Sequence, residues 1–163
     1  AIYTPIFEHL IIDEQHGLCR GKSTVTNLSV YSEGLLNVMV SHEQIDAVYT
    51  DFSKAFDRVP HKILIFKMKA LGLGDNLCQW LESNLLNRTQ TIILNNQHKS
   101  KKYSVTSGWT SLPLIFNCYF NDTCVNVKYC KFLLFADDLK LYSGITCTDD
   151  CLNVQADLNA LNN

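Results

Sequence analysis

The chain is poor in charge, proline and glycine. Asp, Glu, Lys and Arg reach only 18% of its 163 residues, where globular proteins average about 25%. Three prolines and seven glycines are too few for a collagen-like repeat or a Pro/Gly-rich linker. No apolar run is long enough for a membrane-spanning helix, so no membrane partner is expected. The opening residues AIYTPIFEHLIIDEQHG show neither a basic lead nor a small-residue cleavage site, and a secretory signal is not expected. A reducing intracellular setting, nucleus or cytoplasm, is the expectation. What is present is 47% hydrophobic and 10% aromatic residues, which excludes wholesale disorder. One domain over residues 1–163 can bury a sufficient core at this length without disulfides.

The seven cysteines never form a Cys-x-x-Cys pair, so they read as free thiols. His16 and Cys19 stand at ligand spacing with His9 nearby. No second pair follows at zinc-finger spacing, and scattered buried thiols fit better than a zinc site. Asn-x-Ser/Thr matches at Asn27, Asn87 and Asn121 carry no weight in a chain that is not exported. Gly21-Lys22-Ser23-Thr24 imitates the end of a P-loop, but the further glycine that loop needs falls on His16, with Gly17 one position late. Without that glycine the backbone cannot cradle a phosphate.

Charge is unevenly placed around the net −2. Residues 58–102 hold Arg58, Lys62, Lys67, Lys69, Arg88, Lys99, Lys101 and Lys102 against Asp75 and Glu82, a local +6, while the remainder sums to −8. A solvated face and a phosphate-facing surface beside an acidic pocket both fit this distribution. Charge alone does not choose between them.

Residues Ile45 to Phe52, rich in β-formers, predict a strand buried in a sheet. The following FSKAFDRVP is too broken for a full helix. Pro60 suits the start of a helix over HKILIFKMKAL with Ile63, Phe66 and Ala70 inward. Asp75 can cap the next, with Leu77, Trp80, Leu81 and Leu85 inward. TQTIIL-NNQ-KKYSVTS reads as a hairpin, and SLPLIFNCYFND as a buried helix with Ser111 as a possible cap. KFLLFADDLKLYSG predicts two strands around an Asp137-Asp138 turn. Thr148 can cap a final helix with Val154, Leu158 and Leu161 on one face. Strands and helices in no βαβ repeat predict an α+β domain.

Asp51 ends an otherwise apolar strand, and Asp137-Asp138 follow the nearly apolar Phe132 to Ala136. A carboxylate in such a place costs several kcal/mol unless a cation compensates. Were the two strands adjacent, the three carboxylates would form an all-oxygen donor set suited to Mg²⁺. Taken singly, Asp51 could cap a following turn and the Asp pair could be a solvated hairpin turn.

Together the segments are more specific. YTDFSKAFDRVPH, followed 86 residues after its first Asp by FADD between apolar strands, resembles the reverse transcriptase domain of non-LTR (LINE, jockey-like) retrotransposons. The likeness runs from about Ile12 to Asn163 and includes EQHGLCRGKST, ALGLGDNLCQWLESNLLNRTQTI, VTSG and FNDTCVN. It implies the fingers–palm part of a right-hand polymerase, an antiparallel palm sheet packed on helices. It implies an RNA-directed DNA polymerase acting on an RNA template, a DNA primer and deoxynucleoside triphosphates, with two Mg²⁺ ions, Mn²⁺ being possible. By position, Asp51, Asp137 and Asp138 match the catalytic, metal-holding carboxylates. Phe56 matches the bulky residue beneath the nucleotide sugar; on position alone it reads as a core aromatic. Arg20 and Lys22 match the cations that meet the incoming triphosphate.

The family continues after its Ser-Gly with a V-P-Q-G-S-x-L-G-P type segment lining the nucleotide pocket. Here the chain reads Ser107-Gly108-Trp109-Thr110-Ser111-Leu112-Pro113, about four residues shorter, without the Gln-Gly pair and with Trp109 in a small residue's place. The stretch before EQHG is also shorter, and the family's thumb is not expected in this chain. Two functions therefore stand side by side: a partial reverse transcriptase domain, and a decayed relic with at most residual metal or nucleic-acid binding. Oligomeric state is not legible.

Overall fold

The computed structural model describes residues 9–41, 44–53, 55–85, 89–94, 98–99, 103–104 and 112–161. In chain order the elements are α1 (Thr24–Ser41), β1 (Gln44–Thr50), α2 (Ala55–Arg58), α3 (His61–Ala70), α4 (Asp75–Leu85), β2 (Thr89–Gln90), β3 (Ile93–Leu94), β4 (His98–Lys99), β5 (Tyr103–Ser104), α5 (Leu112–Phe120), β6 (Lys131–Phe135), β7 (Asp138–Ile145) and α6 (Thr148–Ala160). They fall into two compact units, Ala1–Ser53 with Phe120–Asn163, and Lys54–Tyr119. The architecture is α+β.

The first unit is built on a three-stranded antiparallel sheet in the order β1-β7-β6. The central strand β7 buries Leu139 and Leu141 on one face and Tyr142 on the other. The sequence predicts β1 as a strand buried in the sheet. Instead it lies at the sheet edge, pairing with β7 alone among the described residues, and none of its residues is fully buried. Its β-branched and aromatic run is satisfied by one packed face and one neighbour.

Helix α1 packs on this sheet and is capped by Ser23, whose Oγ accepts from Thr26 N at 3.2 Å. Its buried stripe is Asn27, Tyr31, Gly34 and Val38, correct for helical spacing but half polar or featureless. Its outer face shows Val25, Leu36, Met39 and Val40 to solvent. Asn27, Tyr31 and Gly34 each have a specific partner. Tyr31 meets Tyr142 and Tyr49 edge-on at 5.1 and 6.1 Å, and its hydroxyl lies 2.7 Å from that of Tyr49. Asn27 Nδ2 donates to Leu134 O at 3.1 Å and its Oδ1 accepts from Lys140 Nζ at 2.6 Å. At Gly34 a Cβ would collide with the Tyr142 hydroxyl, so the close approach needs glycine.

Helix α6 packs on β7 and starts one residue earlier than Thr148 suggested, with Cys147 as its cap. The third helical residue, Asp150, reaches back to accept from the Thr146 and Cys147 N–H groups at 2.8 and 3.1 Å. The Thr146 backbone bond, foremost, holds the Asp150 carboxyl down at about 2. Val154 is buried as expected, and beside it Asp157 is buried too.

In the second unit α3 and α4 pack together. Helix α3 buries Leu64, Ile65 and Met68, whereas Ile63, Phe66 and Ala70 of the expected stripe are exposed. The run ILIF is apolar all round, so periodicity there cannot select a face. Helix α4 buries Cys78, Leu81 and Leu85, with Trp80 outside. The expected hairpin forms as two short antiparallel pairs, β2 with β5 and β3 with β4, whose registers differ by one residue. Its expected NNQ turn lies outside the described residues, as does Ser111.

All seven cysteines are free thiols. Burial first of all pushes the Cys124 and Cys130 thiols up to about 12, which leaves them unreactive at neutral pH.

Candidate active site

The ladder places the acidic residues. Thr50 pairs with Leu139 as the last rung between β1 and β7. The next residue, Asp51, is therefore level with Asp138 on the neighbouring strand. The β6–β7 hairpin closes with Phe135 opposite Asp138, so its two-residue turn is Ala136-Asp137. This shifts the expected Asp137-Asp138 turn by one position, and Asp138 begins β7 instead. Three carboxylate-bearing residues thus share one end of one sheet.

Backbone conformation explains the shift. Ala136 has φ 56° while Asp137 does not have positive φ, the pattern of a II′ turn, which prefers glycine at its first central residue. An alanine there is held by other means. Gln15, 1% exposed, donates from Nε2 to Ala136 O at 3.0 Å and accepts at Oε1 from Ala136 N at 2.8 Å. The same Oε1 accepts from Gly17 N at 2.8 Å. The backbone of this segment also runs beside β6, His16 N donating to Leu134 O at 2.9 Å and Leu134 N to Glu14 O at 3.0 Å. At Gly17 a Cβ would overlap the backbone nitrogen of Ala136. Gly17→Ala is therefore expected to cost about 1–3 kcal/mol through overpacking. A urea midpoint unchanged from wild type would refute that close approach.

Asp51 and Asp138 are exposed and Asp137 is half-buried. Among the described residues no group of three or more His, Cys, Asp or Glu side chains is gathered to hold a metal ion. The sequence expectation of converging carboxylates is met by the strand positions and not by the side chains. The donor set itself, all oxygen, suits Mg²⁺ or Mn²⁺. Beside it lies a cavity of about 350 Å³ whose lining includes Asn27, Tyr49, Thr50, Asp138 and Lys140. Thr50 Oγ1 is buried there without a hydrogen-bond partner, an orphaned polar atom next in sequence to Asp51.

The loop after Gly17 carries the two expected cations. Arg20 is exposed. Lys22 instead turns back on its own segment, donating to Asp13 O at 2.6 Å and Gln15 O at 3.2 Å, with the Asp13 carboxylate at 3.8 Å. His16 is buried with Nδ1 2.9 Å from Thr26 Oγ1. Burial first, then Lys22 and Lys140, lowers its pKa, so it is a neutral packing residue. Phe56 belongs to the second unit, where its ring lies on Phe116 at 4.3 Å, tilted 33°. It is half-buried there, against the buried Phe116. The shortened loop around Trp109 lies outside the described residues. Sequence reasoning missed Gln15 and Lys140; an amide followed by His-Gly was the one available signal for the former.

Comparison with known proteins gives the arrangement a lineage. Residues 2–162 match the family described as Reverse transcriptase (RNA-dependent DNA polymerase). A probable RNA-directed DNA polymerase from transposon BS of Drosophila melanogaster is 29% identical, over 93% of this chain and 18% of that protein. A retrovirus-related Pol polyprotein from type-1 retrotransposable element R2 of Popillia japonica is 27% identical, over 59% of this chain and 18% of that one. The chain thus spans under one-fifth of the length of these relatives. Telomerase from Candida albicans, solved in complex with a fragment of telomeric RNA, superposes with TM-score 0.65 over 96% of this chain and 32% of its own, at 12% identity. That likeness extends to the fold, the fingers–palm part of a right-hand polymerase. With nearly every residue inside the family match, the chain is a member of the reverse transcriptase family.

Proposed function

We propose that this chain is the fingers-and-palm part of an RNA-directed DNA polymerase from a non-LTR, jockey-like retrotransposon. It would join deoxynucleoside triphosphates to a DNA primer on an RNA template. The single observation that carries the reading is the sheet register, which sets Asp51 level with Asp138 beside the turn bearing Asp137.

In this reading Asp51, Asp137 and Asp138 hold two Mg²⁺ ions, with Mn²⁺ able to substitute. Bound metal would supply stabilisation of the 3′-alkoxide and of the leaving pyrophosphate. The protein supplies position: the hairpin fixes Asp137 and Asp138, and β1 delivers Asp51 to the same sheet end. Arg20 is the free-standing candidate for the triphosphate, while Lys22 would have to leave Asp13 and Gln15 to join it. Phe56 would lie beneath the nucleotide sugar, excluding a 2′-hydroxyl. The family match from residue 2 to 162 and the retention of all three carboxylates favour this reading over a decayed relic.

Two measurements test it. RNA-templated primer extension should require Mg²⁺ or Mn²⁺ and should disappear in Asp137→Ala. The melting temperature should also rise with millimolar Mg²⁺ or Mn²⁺, because ligand binding to the folded state stabilises it by mass action. Asp51→Asn should remove most of that rise. Identical responses of wild type and Asp51→Asn would place any bound metal elsewhere.

A further inference from the structure

We infer that Gln15 is a positioning residue for the catalytic hairpin: its side-chain amide holds Ala136 in the left-handed conformation that presents Asp137. The inference rests on the proposed role of Asp137 and concerns a residue of the fingers segment, far away in sequence.

Four observations carry it. The side chain of Gln15 is buried, at 1% exposure. It engages both the N–H and the C=O of Ala136, at 2.8 and 3.0 Å. Ala136 has φ 56°, a region that L-residues other than Gly, Asn and Asp avoid at a cost in free energy. Finally, the Gln15 side chain is itself fixed by Gly17 N, and the Gln15 carbonyl by Lys22 Nζ.

These roles combine into one device. A two-residue turn with alanine in the glycine position would relax toward another turn if nothing opposed it. An amide that donates to Ala136 O and accepts from Ala136 N fixes the orientation of both peptide groups flanking that residue. The second of these peptides leads directly to Asp137, so its orientation sets where the Asp137 carboxylate can reach. A carboxamide is the side chain that offers donor and acceptor together at this length. Glutamate would keep the two N–H bonds but would face Ala136 O with a second acceptor. Methionine would keep the volume and lose all three bonds. Glycine in place of Ala136 would adopt the left-handed turn unaided, so the need for the clamp should vanish with it.

The test compares wild type, Gln15→Met, Gln15→Glu, Ala136→Gly and the double change Gln15→Met/Ala136→Gly in the full chain. Two quantities are read: Mn²⁺ affinity from water-proton relaxation, and hydrogen exchange of the Ala136 amide. Loss of a partner that orients a metal ligand typically weakens metal affinity about 10–100-fold, and Gln15→Met should fall in that range. Exchange at the Ala136 amide should accelerate in parallel, Gln15→Glu should lie between, and the double change should recover the affinity. Recovery by glycine separates positioning from general support of the fold, which glycine could not restore. If Gln15→Met fails to fold, Gln15→Glu with and without Ala136→Gly carries the comparison. Wild-type Mn²⁺ affinity and Ala136 exchange in either Gln15 variant, or no recovery with glycine, would overturn the inference. Wild-type Mn²⁺ binding that ignores Asp137→Ala would overturn the proposed metal site instead, leaving the exchange data to judge the clamp.

Discussion

Asp157→Ala is expected to destabilise the chain by about 3 kcal/mol, since a buried donor left without its acceptor costs about 1–3 kcal/mol. Asp157 is 2% exposed. Its Oδ1 accepts from Lys128 N at 2.9 Å, and its Oδ2 accepts from Tyr129 N at 2.8 Å and Cys130 N at 2.7 Å. Alanine would leave those three donors without their acceptor, a loss far larger than one surface hydrogen bond. The segment they order leads into β6, so the loss would reach the β6–β7 hairpin. A chemical-denaturation midpoint would measure it. Asparagine keeps the shape but can accept through only one side-chain oxygen, and Asp157→Asn should fall between wild type and Asp157→Ala. The pH dependence has a defined sign. Burial pushes the Asp157 carboxyl up, but the backbone N–H bonds outweigh it and the net pKa is lowered. A lowered folded-state pKa stabilises the protein above the unfolded value near about 3.9, and that contribution is lost as pH falls below it. Asp157→Ala should therefore flatten acid unfolding below about pH 4. An alanine variant within 1 kcal/mol of wild type would show that water replaces the carboxylate at little cost.

Asp157 also illustrates what a sequence can and cannot declare. Its helix was legible, because Val154, Leu158 and Leu161 repeat at helical spacing. The buried aspartate between them was not, because its partners are backbone amides that leave no trace in residue type. Helix α1 is hard to read for a related reason: its inward stripe of Asn27, Tyr31, Gly34 and Val38 mixes an amide and a missing Cβ with apolar contacts, so it lacks a continuous apolar face. The β6–β7 hairpin fared better, since two short, largely apolar runs flank the Asp137-Asp138 pair, a residue type common in turns. The site followed the same division. Asp51, Asp137 and Asp138 stood out as acids at the ends of apolar runs, and the ladder brought their strands together. Gln15 did not stand out, for its role depends on a φ angle at Ala136 and a contact 121 residues away. Phe56 had two readings, and its stacking on Phe116 keeps the core reading alongside the proposed one.

Restoring about four residues after Gly108, including a Gln-Gly pair, should raise RNA-templated primer extension by at least about a hundredfold, the cost of a misplacement near one ångström. The chain as it stands should extend a primer very slowly, despite its three carboxylates. Carboxylates and metal supply electrostatic stabilisation, but rate also requires the 3′-hydroxyl to be in line with the α-phosphorus. In the family that the sequence resembles, the segment after Ser-Gly forms a wall of the nucleotide pocket, and here it is shortened, with Trp109 in place of a small residue. An indole at a point of close backbone approach would fill the space that a nucleotide needs. The comparison therefore uses the chain as it stands, the loop-restored chain, and the loop-restored chain with Asp137→Ala, each on a primed RNA template with Mg²⁺. Gain with the loop and loss with Asp137→Ala would locate the defect in alignment and the chemistry at the hairpin. Rapid, Asp137-dependent synthesis by the unrestored chain would show that the shortened loop still forms an adequate pocket wall. A restored chain that remains inactive while Mn²⁺ still binds in an Asp137-dependent manner would move the defect away from the loop and the metal site.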